Sequence, residues 1–243
     1  MGKKIAIYGA GTIGACQATL TSGNGYSTVV IGHSEEGLSR CRNTMLQNWN
    51  DLIAQKLATA ANRRAAMDLV TITNDVSALR DCDIVFEAVS EDVNIKQRVY
   101  SIITEVCGRD IIVVSTTSSI DAAILAEKIE NPARFLIAHP FQPVHMLPLV
   151  EVVRHTETSE ETLNQVCTLL KDLNRQVVML NRSVPGFLVN RFAQALFRES
   201  IYLIEQGITT AADIDRAIKY AVGMRYASIG LLEYYDAVGF ELE

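Results

Sequence analysis

The chain has 243 residues, enough for one large domain or one domain with a smaller companion, and its 49% apolar content can fill a substantial core. A net charge of −6 argues against a nucleic-acid-binding surface. Five scattered cysteines with no Cys-x-x-Cys pair indicate neither a metal site nor a disulfide framework. No apolar stretch suits a signal peptide or membrane span, so no membrane association and a cytoplasmic location are expected.

Residues 4–8 are a short strand-like run, followed at once by Gly9, Ala10, Gly11, Thr12, Ile13 and Gly14. Residues 15–20 read as a helix, broken at Gly23-Asn24-Gly25, and residues 28–31 as a second strand. A Gly-x-Gly-x-x-Gly alone is weak, but between a strand and a helix it is a strong sign of a dinucleotide site. The first glycine permits the turn, the second admits a pyrophosphate, and the third lets helix pack on strand. Helix N–H groups then face the phosphates.

The second strand should end in an acid that holds the ribose hydroxyls of NAD. Here Ile31-Gly32 is followed by His33 and Ser34, with Glu35 and Glu36 one and two places late. His33 and Ser34 could accept a 2′-phosphate, whereas two adjacent glutamates would repel one. Arg40 stands about two helical turns away. NAD versus NADP is open on these residues.

Residues 35–57 read as one helix, with Leu38, Met45, Trp49, Leu52 and Ile53 near a core-facing side. Asn62-Arg63-Arg64 reads as a solvated basic spot. Strands are expected at 69–72 and 84–88, with a short helix at 75–80 between them. Ser90-Glu91-Asp92 leads into a helix from Lys96 to about residue 106, and strand 111–114 ends in Ser115-Thr116-Thr117-Ser118-Ser119. This alternation means an α/β fold with a Rossmann-type, doubly wound, mostly parallel sheet, whose ligands sit at the carboxyl ends of the strands.

Residues 135–138 are another strand, running into His139-Pro140-Phe141-Gln142-Pro143, and residues 149–153 carry a single carboxylate, Glu151. Pro140, Pro143 and Pro148 exclude helix between the two runs. Such a stiff loop could build a histidine–carboxylate pair in which the acid holds the imidazole tautomer. The bland alternative is a strand-capping histidine and an acid on a sheet edge. Because Glu91, Ser118 and His139 all fall at strand carboxyl ends, the catalytic reading is favoured.

Residues 160–173 read as a helix and 176–180 as a strand, after which 181–186 close the first domain. Residues 187–206 and 210–222 are then helices, the second capped by Thr210, and no strand pattern returns. The expected division is a dinucleotide-binding domain over 1–184 and a smaller helical domain over 185–243, stabilised by association. Apolar residues on more than one face of 188–203 suit an interface.

In order and spacing, five segments resemble the L-3-hydroxyacyl-CoA dehydrogenase family, which includes 3-hydroxybutyryl-CoA dehydrogenases and a lambda-crystallin, L-gulonate 3-dehydrogenase and carnitine dehydrogenase branch. They are residues 9–14, Glu-Ala-Val-Ser-Glu at 87–91, Ser-Thr-Thr-Ser-Ser at 115–119, the stretch 139–153, and Pro-Gly-Phe-Leu-Val-Asn-Arg at 185–191. The resemblance implies NAD-dependent, reversible oxidation of a short L-3-hydroxyacyl-CoA, such as 3-hydroxybutyryl-CoA, to its 3-keto form. Alternatives are a dehydrogenase of a free 3-hydroxy acid and a non-catalytic, crystallin-like or nucleotide-binding relative. By the same resemblance His139 is the acid/base, Glu151 orients it, Ser118 binds the substrate oxygen near the cofactor, and Asn190 completes the site. Glu91, Lys96 and Gln142 match positions on the nicotinamide side. A homodimer acting on a small molecule is implied.

Departures from the family pattern are visible too. Thr116 and Gln142 stand where asparagine is usual, and the helical insertion after the second strand looks short, with only Lys56, Arg63 and Arg64 as substitutes for CoA contacts. Gly223-Met224-Arg225-Tyr226-Ala227 resembles the lambda-crystallin and carnitine branch. Arg225 could there clamp a free carboxylate bidentately, or merely pair on a surface. Family members usually continue with further helices, so either a truncated helical domain or a further tail is expected.

Overall fold

In the computed structural model, which describes residues 3–239, the short apolar runs become eight strands of one sheet. These are β1 (Lys4–Tyr8), β2 (Ser27–Ile31), β3 (Val70–Thr73), β4 (Ile84–Glu87), β5 (Ile112–Ser115), β6 (Phe135–Pro140), β7 (Leu149–Arg154) and β8 (Gln176–Leu180). Their spatial order is β3-β2-β1-β4-β5-β6-β7-β8. Every pairing is parallel except β6 with β7, which run antiparallel. Central strands such as β4 and β5 are buried along their whole length, which is why they read as continuous apolar runs without alternation.

Helices cover both faces. On one face Ala15 and Ala18 of α1 (Thr12–Gly23), Met45 of α2 (Glu35–Ala54) and Leu169 of α6 (Glu160–Asp172) pack with Ile5, Ile7 and Phe86. On the other, Tyr100 and Ile103 of α4 (Val93–Cys107) and Leu125 of α5 (Ala122–Ala126) pack with Ala6, Val85 and Phe135. Each fully buried aliphatic or Phe side chain contributes about 1.5–3 kcal/mol to these cores.

Three features differ from the sequence expectation. The helix expected over 35–57 stops at Ala54, and the basic spot at 62–64 lies in a separate helix, α3 (Ala60–Asp68). Thr59 starts α3: its backbone N–H donates to Asn62 Oδ1 at 2.9 Å, and Asn62 N–H donates to Thr59 Oγ1 at 3.2 Å. An asparagine in place of the usual Glu or Gln hides this capping box. Second, α5 was not anticipated; five residues carry too little periodicity to show.

Third, the helix expected over 210–222 turns π-helical after Ala217. The chain divides into two units between Leu188 and Val189. Phe187 is wholly buried in the core of the first unit. The second unit comprises α7 (Val189–Glu205), α8 (Ala211–Ala217), a π-helical turn (Ile218–Val222), α9 (Gly223–Tyr226) and α10 (Leu231–Val238). Thr210 caps α8 by accepting from Asp213 N at 3.2 Å. Among the described residues no helix is long and apolar enough to cross a membrane.

Candidate active site

Parallel register brings the carboxyl ends of β1, β2, β4 and β5 to one edge, where Tyr8 pairs with both Ile31 and Glu87, and Glu87 pairs with Ser115. Ile137, two residues before His139, pairs with Ser115. The strand order reverses between β1 and β4, the place where open α/β sheets bind ligands.

At that reversal Gly9 has φ +131°, and a Cβ there would lie 2.3 Å from Ala88 O. A Cβ on Gly14 would lie 1.8 Å from Gly9 O, whereas one on Gly11 would meet nothing within 4 Å. The outer two glycines are therefore required by packing, and the middle one faces open space. Helix α1 begins without a side-chain cap, leaving its first N–H groups to a ligand. Gly9, Ala10, Gly11, Thr12 and His33 line a cavity of about 680 Å³ that also takes in Ser90, Arg40 and Arg98. This cradle fits the pyrophosphate of a dinucleotide. Ile13 and Ser34 do not line it: Ile13 packs on the core, and Ser34 accepts from Gly37 N to cap α2.

Next along the edge is a buried carboxylate that the sequence reading did not single out. Glu87 is fully buried and accepts from Lys96 Nζ, Tyr100 Oη and Ser115 Oγ, each at 2.8 Å, and from Val89 N at 2.9 Å. Burial and the Glu87 charge together push the Tyr100 hydroxyl well above its ordinary value, so it stays a donor. Lys96 is held between Glu87 and Glu91, the latter at 3.3 Å, and faces those carboxylates. The one advance signal was an acid closing the otherwise apolar Ile-Val-Phe-Glu strand.

Glu91 Oε1 accepts from Ser118 N at 2.9 Å, from Ser119 N at 3.2 Å and from the Thr117 hydroxyl. Burial alone would raise its pKa, but the Thr117 hydrogen bond and the Lys96 charge outweigh it and hold the carboxyl below its ordinary value. An ionised Glu91 thus braces the loop after β5. Ser118 Oγ makes only a long 3.4 Å contact to Glu91 and is half-buried.

Strands β6 and β7 set His139 directly opposite Glu151. His139 Nδ1 lies 2.9 Å from Glu151 Oε2; Glu151 is fully buried and the histidine only 7% exposed. The other carboxylate oxygen accepts from Leu188 N at 2.9 Å. Phe141 and Phe187 rings stand 4.7 and 5.5 Å from the imidazole. A buried carboxylate on Nδ1 fixes the tautomer and leaves Nε2 to exchange a proton. Phe187 adopts φ 46°, a left-handed conformation that costs about 1–3 kcal/mol outside glycine and is retained where packing over-determines it.

Gln142 is exposed on the loop after His139, and Thr116 N donates to Glu87 O at 3.0 Å. Asn190 and Arg225 belong to the helical unit, Asn190 in the first turn of α7 and Arg225 in α9. The Arg225 guanidinium stacks 4.3 Å above the Tyr234 ring.

Compared with known proteins, residues 4–183 match the NAD binding domain of 3-hydroxyacyl-CoA dehydrogenase and residues 186–243 match its C-terminal domain. An L-carnitine dehydrogenase of Bacillus cereus is 32% identical over 229 residues, covering 94% of this chain and 69% of that protein. The 3-hydroxyadipyl-CoA dehydrogenase of Escherichia coli is 31% identical over 97% of this chain and 49% of its own length. Among solved structures, an NAD+ dependent 5-formyl-3-hydroxy-2-methylpyridine 4-carboxylic acid 5-dehydrogenase superposes with TM-score 0.89 at 31% identity, covering 98% of this chain and 77% of the other.

Proposed function

The chain belongs to the 3-hydroxyacyl-CoA dehydrogenase family and is an NAD-dependent oxidoreductase; from that premise we propose that it reversibly oxidises the 3-hydroxyl of a short L-3-hydroxyacyl substrate, with His139 as acid/base. The observation that carries this reading is the 2.9 Å contact between His139 Nδ1 and the buried Glu151 carboxylate. His139 Nε2 takes the hydroxyl proton as the ketone forms and returns it in the reverse direction. Glu151 stabilises the imidazolium as it develops, while the Leu188 amide keeps the carboxylate in place. Ser118 Oγ, with only a long contact to Glu91, donates to the substrate oxygen. The Gly9–Thr12 loop holds the pyrophosphate, Gly14 lets α1 pack on β1, and Glu91 and Gln142 flank the nicotinamide side. NAD, when bound, supplies the acceptor for the hydride leaving C3.

Segment resemblance supports substrate contacts for Asn190 and Arg225 as well. Self-association through the helical unit is supported by the exposed apolar residues Phe192, Leu196, Phe197 and Tyr202 of α7.

The acyl group is read first as a CoA thioester. A free 3-hydroxy acid is the second reading, favoured by the L-carnitine dehydrogenases among the relatives. It is also favoured by Arg63, whose Nη1 donates to Asn50 Oδ1 at 2.9 Å. That bond ties a candidate CoA contact across the α2–α3 hairpin. The test is NADH formation by purified protein on L-3-hydroxybutyryl-CoA, L-3-hydroxybutyrate, L-gulonate and L-carnitine. Turnover of the thioester supports the first reading, and turnover of a free acid alone supports the second. Turnover of none would overturn both.

A further inference from the structure

We infer that the adenosine end of the dinucleotide cavity accepts the 2′-phosphate of NADP(H), so that the enzyme uses NADP(H) in addition to NAD. This deepens the proposed function and rests on its reading of the cavity as the dinucleotide site.

The residue just after β2 is where a carboxylate would hold both ribose hydroxyls of NAD. Here it is Gly32, and the packing leaves no room for an acid. A Cβ on Gly32 would lie 2.6 Å from Leu38 Cδ2 and 2.8 Å from the Cβ of Ala10, in the phosphate loop itself. Neither of the late glutamates takes over. Glu35 accepts from Asn74 Nδ2 at 3.2 Å and lines a separate cavity with Leu38, Ser39 and Arg42. Glu36 is ion-paired with Arg40.

Among the described residues, the lining of the dinucleotide cavity contains no carboxylate. It contains His33, Arg40 and Arg98. Arg40 folds back over the first turn of α2: its Nη2 lies 3.9 Å from where a Cβ on Gly37 would sit, and Ser34 Oγ lies 3.1 Å from the same point. Guanidinium forks match phosphate geometry and bind it by charge-assisted hydrogen bonds, whereas a neutral 2′-hydroxyl makes no comparable demand. The competing Glu36–Arg40 pair is 84% and 64% exposed, so it is screened by solvent and yields readily to a phosphate dianion.

The test is calorimetric titration of the full chain with ADP-ribose and with 2′-phospho-ADP-ribose, neither of which can react. The inference predicts that the phosphorylated ligand binds within about threefold of ADP-ribose or tighter, and that Arg40→Ala weakens it about tenfold relative to ADP-ribose, as loss of one charge-assisted contact implies. Arg98→Ala should shift the same ratio in the same direction. Weaker binding of the phosphorylated ligand, beyond about threefold, overturns the inference and leaves the dinucleotide reading intact, as does an unchanged ratio in both variants. If neither ligand binds, the reading of the cavity fails, and this inference with it.

Discussion

Lys96 Nζ lies 2.8 Å from Glu87 Oε1 with both side chains at or below 1% exposure, an ion pair sealed beneath the carboxyl edge of the sheet. Removing one member strands the other charge, which costs about 3–5 kcal/mol, whereas replacing both with apolar groups is far milder. Lys96→Met is therefore predicted to lower the unfolding free energy by about that amount in urea titrations. The double variant Lys96→Met, Glu87→Leu should lose less than the sum of the single changes. Strict additivity would show that the two residues do not act as a pair.

A second prediction concerns the loop between the paired residues. Arg175 Nη1 donates to Val144 O at 3.0 Å and Leu147 O at 2.9 Å, and its Nε donates to Leu173 O at 2.9 Å. The clamped segment joins His139 to Glu151. Arg175→Ala releases both loop carbonyls and is expected to lower kcat/KM about tenfold or more, since small misplacements of reacting groups are costly. Dissociation constants for NADH should stay close to wild type, and Arg175→Lys should recover part of the loss. Equal weakening of NADH binding would show that the arginine acts on the whole domain.

The pH dependence of stability gives a third. Burial lowers the pKa of His145, with Asp51 opposing and Arg175 assisting. A histidine that is harder to protonate when folded binds fewer protons than the unfolded chain, whose value is about 6.5. Its penalty is absent well above that pH and grows as the pH falls from about 6.5 toward the folded value. The melting temperature of wild type, taken relative to His145→Leu, should therefore decline between about pH 7 and pH 5. A constant difference across that range would remove His145 as the cause.

Much of this architecture was legible in residue order. Gly9, Gly11 and Gly14 announced a strand–turn–helix because backbone approach at 9 and 14 tolerates no side chain. Three prolines between His139 and Glu151 forced an extended return, and the antiparallel register then set the two residues opposite each other. Glu87 stayed hidden because its partners, Lys96, Tyr100 and Ser115, meet it only once α4 lies back on β4 and β5. A similar reason hid Phe187: a proline and a glycine at 185–186 look like a linker, yet Phe187 beyond them is buried against the His139 ring. Nor could spacing reveal that Gly32 is closed in by Leu38 and Ala10.

The central claim, that His139 moves the substrate proton, is tested most directly by turnover of His139→Ala on the best substrate of the series, with NADH binding measured on the same preparation. Loss of a general base typically lowers the rate about 10²–10⁴-fold, so a fall of at least about a hundredfold with NADH affinity retained is predicted. Turnover within about threefold of wild type would contradict the assignment, since no general base is lost so cheaply.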